Sequence, residues 1–191
     1  EKETQIIAHR GGALFAPENT VAALNNAIQE GAFSAEIDVQ QTQDGTLIVM
    51  HDTNFKRTTG YDGQVWDTPY EIVKTLDAGS SYSDDYANEP VPTLAMMLEA
   101  AKDRIHLMIE LKSTGHEKQL EEATLALIKE YDMEDQCSIA SMDSAILHRV
   151  KAINPKIETV LITALFYASL LNTETIDGFS VETTFVNYEL T

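Results

Sequence analysis

The sequence is poor in cysteine and in basic residues, and each shortage excludes a class of protein. Its single cysteine, Cys137, cannot form an intramolecular disulfide. Only 13 lysines and arginines stand against 31 aspartates and glutamates, for a net charge of −18, so the chain lacks the basic footprint that nucleic acids require. No run of about 18 apolar residues occurs, which excludes a membrane-spanning helix within the sequence. These features do not decide between a cytoplasmic and an extracellular location.

What the chain does contain is a regular alternation of strand-like and helix-like segments. With 191 residues, 43% of them hydrophobic, it is long enough for one sizeable core, and we expect a single domain over residues 1–191. Short apolar or alternating runs predict seven strands, most of them separated by segments with helical spacing of apolar residues. The strand-like runs are residues 5–10, 34–42, 46–52, 106–112, 137–142, 158–163 and 178–185.

This alternation predicts an α/β fold with a parallel sheet. An open doubly wound sheet and a closed (β/α)8 barrel both fit the pattern. Short apolar strands such as residues 107–111 suit a barrel with helices outside. Residues 53–92 interrupt the alternation with turn-rich sequence and one short helix at residues 68–76. We interpret this stretch as an insertion rather than as a linker.

Ionisable residues collect at the ends of the first four predicted strands. In a β/α barrel the working face lies where the strands end, so these side chains are expected at one edge. Residues two apart in a strand share a face, so both members of a Glu-x-Asp or Glu-x-Lys pair point the same way. The residues concerned are His9 and Arg10, Glu36 and Asp38, His51 and Asp52, and Glu110 and Lys112.

Three of these residues are suitable ligands for a cation. Glu36, Asp38 and Glu110 would repel one another at a shared edge, and a divalent cation removes that repulsion. An all-oxygen ligand set favours Mg²⁺ or Ca²⁺ over zinc. We therefore predict one divalent cation, magnesium or calcium, held by these three carboxylates.

The positively charged residues at this edge are suitable for binding an anion. Arg10 and Lys112 would surround the cation with positive charge, which favours a phosphate ligand. His9 and His51 would then serve as general acid and general base at a P–O bond. We interpret the two glycines that follow Arg10 as room for the backbone to approach that anion.

The motifs that carry these residues resemble the glycerophosphodiester phosphodiesterase family. They are AHRGG at residues 8–12, PENT at 17–20, EIDVQQTQDGTLIVMHD at 36–52 and IELK at 109–112, and the resemblance covers nearly the whole chain. It implies a TIM-type (β/α)8 barrel and metal-dependent hydrolysis of glycerophosphodiesters to sn-glycerol 3-phosphate and an alcohol. It also implies individual roles: His9 and His51 are catalytic, Glu36, Asp38 and Glu110 bind the metal, and Arg10 and Lys112 bind the phosphate.

The end of the chain departs from the family pattern. In the family an eighth strand and a last helix complete the barrel, whereas this sequence stops at Thr191, soon after the seventh strand-like run. An open barrel leaves strand edges unpaired, so we expect a longer biological chain or another chain to complete it. The sequence also resembles catalytic domains that some bacteria carry after a multi-span membrane segment. That similarity implies a membrane-spanning domain in the parent chain.

Two other functions fit the same residues. The first is a phospholipase D-like or phospholipase C-like enzyme acting on a lipid such as a lysophospholipid. An apolar edge formed by Phe15, Tyr61 and Trp66 would give a lipid access to it. The second is a barrel that binds a phosphate ligand without turnover. The sequence leaves open the leaving alcohol, the division of roles between the histidines and the oligomeric state.

Overall fold

The main sheet is parallel apart from one strand. The computed structural model describes residues 5–163 and 176–181. Within these residues the sheet has seven strands in the order β1-β2-β4-β5-β6-β7, and β3 pairs with β2 outside this path. The strands are β1 (Ile7–Ala8), β2 (Ser34–Gln41), β3 (Leu47–Val49), β4 (His106–Leu111), β5 (Cys137–Ser141), β6 (Glu158–Thr163) and β7 (Gly178–Val181).

The third strand runs antiparallel to β2, so one of the first four strands does not end at the expected edge. A tight turn reverses the chain, with the Thr42 N–H donating to the Thr46 carbonyl at 3.0 Å. β3 then pairs with the second half of β2, and β1 pairs with the first half on the same edge. The Met50 N–H donates to the Asp38 carbonyl at 2.9 Å. His51 therefore arrives beside the middle of β2 rather than beyond its carboxyl end.

Helices follow most of the parallel strands. They are α1 (Val21–Gln29), α2 (Lys56–Thr59), α3 (Tyr70–Val73), α4 (Leu94–Ala101), α5 (Leu120–Glu130) and α6 (Ser144–Ile153), with short 3₁₀ turns at His9–Gly11, Val65–Asp67, Asp84–Tyr86 and Glu134–Gln136. None of the helices in the described ranges combines the length and hydropathy needed to cross a bilayer. Residues 164–171, whose sequence predicts a short helix, and the end of the run at 178–185 lie outside the described residues.

The two faces of the sheet bury different side chains. Ala35, Ile37 and Val39 of β2 join the large core that packs the sheet against α1, α4, α5 and α6. Because side chains alternate along a strand, the opposite face of β2 carries polar residues, and these are buried as well. Further along that inner face lies a small apolar cluster formed by Met108, Ala140, Val160 and Ile162. The interior is thus apolar toward β5 and β6 and acidic between β2 and β4.

Residues 53–92, the predicted insertion, pack as a small unit against β3. Phe55, Val65 and Val73 are buried with Ile48 of β3 in a second apolar cluster. The short helix predicted at residues 68–76 is α3, which is shorter than predicted and begins directly after Pro69, and the insertion contains a second short helix, α2. The insertion therefore has packed structure of its own, and the domain boundaries stay a prediction.

Candidate active site

Three carboxylates meet because of the way β2 and β4 pair. Asp38 lies opposite Glu110 on the neighbouring strand, and Glu36 precedes Asp38 by two residues on the same face. Neighbouring strands are about 4.7–4.9 Å apart, so side chains paired in this way are close. Ligand oxygens of all three residues lie within 4.8 Å of one another. The structure therefore brings together the three predicted cation ligands, which we call the carboxylate triad.

The carboxylate triad concentrates negative charge in a buried place. Burial and the neighbouring charge of Asp38 raise the pKa of Glu36 to about 8, and burial also raises the pKa of Glu110. Burial acts on Asp38 in the same direction, but the charge and hydrogen bond of Lys112 and the hydrogen bond from Asn19 together outweigh it and lower the pKa of Asp38. Lys112 Nζ lies 2.7 Å from Asp38 Oδ1 and 2.8 Å from Glu110 Oε1. One lysine cannot balance three carboxylates, so a proton on Glu36 or a divalent cation relieves the repulsion.

Glu36 offers an oxygen that fits a metal ion. Its Oε2 accepts a hydrogen bond from the Arg10 backbone N–H at 2.8 Å. Its Oε1 is buried and has no hydrogen-bond partner within the described part of the chain. A buried acceptor without a partner is costly, and a hard cation would satisfy it. With three buried carboxylates as donors, the residues present fit a divalent cation.

His9 is placed by the conformation of the main chain. In the turn that carries it, Arg10 has φ +51° and Gly11 has φ +76°, both in the left-handed region that favours glycine. A Cβ at Gly11 would lie 3.4 Å from the Cβ of Ala23 on α1. This glycine therefore serves the turn and its contact with α1, and the approach of an anion to this backbone stays a prediction. The His9 ring is left 74% exposed, with Nε2 3.9 Å from Glu36 Oε2.

His51 is placed by its side-chain partners. Its Nδ1 lies 2.9 Å from Asp52 Oδ1. Because hydrogen bonds from Arg57 lower the pKa of Asp52 to about 2, this carboxylate is ionised and can only accept. When the His51 ring carries one proton, the proton therefore lies on Nδ1, and the Nε2 lone pair is left for other chemistry. The ring lines an open cleft of about 250 Å³ together with Glu110 and Lys112.

The two predicted phosphate-binding cations are both engaged by carboxylates. Lys112 donates to Asp38 and Glu110, as described above. Arg10 Nη1 donates to Glu18 Oε1 at 3.1 Å, while Arg10 Nε is buried and has no partner among the described residues. Arg10 thus keeps an uncommitted donor among the described residues, and its backbone N–H is bound to Glu36 of the triad. The contact of either residue with phosphate stays a prediction.

Comparison with known proteins places the chain in a family. The sequence profile of the glycerophosphoryl diester phosphodiesterase family matches residues 9–186. This chain belongs to that family. A glycerophosphodiester phosphodiesterase of Caldanaerobacter subterraneus subsp. tengcongensis is 40% identical over 162 residues, which cover 84% of this chain and 67% of the relative. The chain spans about two thirds of the length of such curated relatives.

Solved structures related to this phosphodiesterase family member share its fold. A glycerophosphodiester phosphodiesterase from Agrobacterium tumefaciens has a TM-score of 0.77 at 33% identity, covering 84% of this chain and 67% of that chain. An Oleispira antarctica phosphodiesterase, solved in complex with the product sn-glycerol-3-phosphate, has a TM-score of 0.88 at 32% identity, covering 96% of this chain and 77% of that chain. These relationships confirm the family, the TIM-type barrel fold and the enzyme class expected from the sequence.

Two buried amides support the site of this phosphodiesterase family member and were not among the candidate residues. Asn19 Nδ2 donates to Asp38 Oδ2 at 2.7 Å, and the Asp38 N–H donates to Asn19 Oδ1 at 3.2 Å. Gln40 Nε2 donates to the carbonyls of Met50 and Asp52 at 2.6 and 2.9 Å. Gln40 lies two residues after Asp38, so the period of two could have identified it. Asn19 stands in the PENT motif, which gave no indication of its partner.

Proposed function

We propose that this chain hydrolyses glycerophosphodiesters to sn-glycerol 3-phosphate and an alcohol, with Mg²⁺ or Ca²⁺ held by the carboxylate triad. The observation that carries the proposal is the triad with its flanking histidines. His9 lies next to Glu36, and His51 shares a cleft with Glu110. The bound product of the Oleispira antarctica relative supports the same reaction. The chemistry of the site explains why each residue type is needed.

The charged residues prepare the site for a phosphodiester. Glu36, Asp38 and Glu110 would hold the cation, which when bound would offset charge on the phosphoryl oxygens. Arg10 adds a permanent positive charge, and its buried Nε–H has no partner among the described residues. Lys112 holds Asp38 ionised and lines the cleft in which the phosphate would lie.

The two histidines move the protons. One imidazole takes the proton of the attacking oxygen, which belongs to water or to a glycerol hydroxyl of the substrate. The new P–O bond forms as the bond to the alcohol oxygen breaks, and the other imidazole protonates that oxygen. Where the glycerol hydroxyl attacks, water opens the resulting cyclic phosphodiester in a second step. Asp52 fixes His51 so that Nε2 is the atom that takes or delivers the proton.

Release of glycerol 3-phosphate from glycerophosphocholine tests the reaction directly. We expect release with Mg²⁺ or Ca²⁺, loss of release with EDTA and recovery when the cation is restored. Release that EDTA leaves unchanged would contradict the cation. A folded chain that releases no glycerol 3-phosphate under any of these conditions would contradict the reaction.

Replacement of one triad carboxylate tests the cation site. Glu110→Gln removes a negative ligand, and affinity at oxygen sites follows the number of charged ligands, so the half-saturating cation concentration should rise about tenfold or more. The concentration can be measured by activity and by the cation-dependent rise in thermal midpoint. Glu99→Gln, an exposed change on α4, is the matched control. An unaltered cation requirement would remove Glu110 from the ligand set.

A second candidate substrate class is lysophospholipid. Leu14 and Phe15, which follow the His9 turn, are 78% and 63% exposed. The hydroxyls of Tyr82 and Tyr86 in the insertion donate to the carbonyls of Leu14 and Phe15 at 3.1 and 3.5 Å. The insertion therefore holds two exposed apolar side chains next to the site, where an acyl chain would find contact.

The apolar edge is smaller than the sequence predicted. Trp66 is half-buried and stacks on His116 with ring centroids 4.2 Å apart, and Tyr61 is half-buried against Phe55. Of the three aromatic residues expected there, Phe15 alone is well exposed. Faster cleavage of lysophosphatidylcholine than of glycerophosphocholine, lost in Phe15→Ser, would establish the lipid as the better substrate. An equal loss of activity toward both substrates in Phe15→Ser would exclude Phe15 as a contact for the acyl chain.

A further inference from the structure

Arg57, in helix α2 of the insertion, contacts two carboxylates at once. Its Nε and Nη2 lie 2.6 and 3.0 Å from the two oxygens of Asp52. Its Nη1 and Nη2 lie 2.9 and 2.7 Å from the two oxygens of Glu18. Each contact joins two points of a rigid, planar guanidinium to two points of a carboxylate, so the angle of each carboxylate is fixed as well as its position.

Each of these carboxylates also contacts a residue assigned to the reaction. Asp52 Oδ1 faces His51 Nδ1 at 2.9 Å, and Glu18 Oε1 accepts from Arg10 Nη1 at 3.1 Å. A continuous series of charged contacts therefore runs from one histidine of the site to the arginine beside the other. In order along this series, the residues are His51, Asp52, Arg57, Glu18 and Arg10.

The contact with Arg57 determines what Asp52 can do for His51. A carboxylate held at one oxygen can rotate about its last bond and turn away from the imidazole. Both oxygens of Asp52 are held by the same guanidinium, so Oδ1 remains aimed at Nδ1. The orientation of the ring and the position of its proton therefore depend on a residue outside the barrel strands.

We propose that Arg57 is a positioning residue for the phosphodiester reaction. Through Asp52 it fixes the tautomer and orientation of His51, and through Glu18 it fixes the guanidinium of Arg10. The inference rests on the proposed function, because it concerns the same site. It also gives the insertion a definite task, which is to join the His51 side of the site to the Arg10 side.

Two single variants separate the two connections. Asp52→Asn presents an amide that can donate to Nδ1 and favour the opposite tautomer, so kcat should fall while KM changes little. Glu18→Gln loosens Arg10, so KM for glycerophosphocholine should rise more than kcat falls. Arg57→Met removes both connections and should lower kcat about 10–100-fold while raising KM.

A matched control tests whether loss of a positive charge on α2 is enough to change activity, and a double variant tests whether Arg57 acts through Asp52. Lys56→Met removes a positive charge from the same helix, together with its contact with Asp62, and should leave both constants at their wild-type values. If Arg57 acts through Asp52, Arg57→Met should lower kcat less in the Asp52→Asn background than alone. Full additivity of the two changes in kcat would overturn the proposal.

The tautomer of His51 can be read without any substrate. In ¹⁵N NMR spectra, the wild-type ring should show a protonated Nδ1, and Arg57→Met should shift the ring toward the form protonated on Nε2. Unchanged signals in Arg57→Met would overturn the proposal, whatever the activity. A wild-type chain that cleaves no diester would refute the proposed function, while this measurement would still decide the role of Arg57. Arg57→Lys, which keeps the charge but loses the planar fork, should give the same shift if Arg57→Met does not fold.

Discussion

His9 and His51 lie near the same carboxylate triad, in two regions that are built differently. The His9 region is shaped by the backbone, with successive left-handed residues packed against α1. The His51 region is shaped by side chains: the amide of Gln40 gathers the carbonyls around the histidine, and Asp52 and Arg57 orient its ring. The first arrangement depends mainly on backbone conformation and packing, and the second depends mainly on charges that salt and protons can weaken. Activity should therefore respond to backbone substitutions through the His9 region, and to salt and pH through the His51 region.

The largest expected effect comes from removing either histidine. His9→Ala and His51→Ala should each lower kcat for glycerophosphocholine by about 10²–10⁴-fold, the usual contribution of a positioned acid or base. His148→Ala, on α6, controls for the loss of an imidazole elsewhere, and circular dichroism checks that the fold is kept. Full activity in either variant would remove that histidine from the reaction.

A smaller effect should distinguish the backbone-held region. Gly11→Ala and Gly31→Ala place a side chain at nearly the same backbone angle, φ +76° and +75°. Each should destabilise the fold by about 1–2 kcal/mol, which lowers the thermal midpoint by roughly 2–8 °C. Only Gly11→Ala should also reduce kcat, because Gly31 has open space around it, whereas Gly11 packs against α1 beneath the His9 turn. Equal kcat in the two variants would show that the turn tolerates the change.

The smallest effect concerns pH and the His51 region. Hydrogen bonds from Arg57 lower the pKa of Asp52 from 3.8 to about 2. Since the folded pKa is the lower one, the ionised Asp52 stabilises the fold above pH 3.8, and this contribution is lost as the pH falls through about 2. The difference in unfolding free energy between wild type and Asp52→Asn should shrink over that range. The loss of unfolding free energy caused by Gly11→Ala should stay constant over this pH range. If it shrank in the same way as that of Asp52→Asn, the difference between the two regions would be contradicted.

The triad was accessible to sequence reasoning because it follows from strand geometry. Glu36 and Asp38 are two residues apart, and the register of a parallel neighbour brings Glu110 beside Asp38. The alternation of strands and helices does not reveal the direction of β3, whereas the short turn at residues 42–46 does indicate it. A short turn between paired strands makes them antiparallel.

The supporting contacts were beyond prediction for a different reason. Arg57 and Glu18 are separated by 39 residues, and no period links charges in an irregular insertion to charges in a loop. Asn19 and Thr20 are both residues that cap helices, and only the fold shows that the Thr20 hydroxyl caps α1 while Asn19 is used by Asp38. Side-chain partners over such distances become visible only when the chain is folded.

The tight turn between β2 and β3 has a consequence for how this protein can change its length. Side chains alternate along a strand, so one residue added or removed within residues 42–46 would flip every side chain of β3 to the other face. His51 would then turn away from the cleft, although every residue of the site was still present. The number of residues in this turn is thus constrained as tightly as the identity of a catalytic group. Insertions would be tolerated better at the exposed turn of residues 154–156, at the opposite end of the barrel.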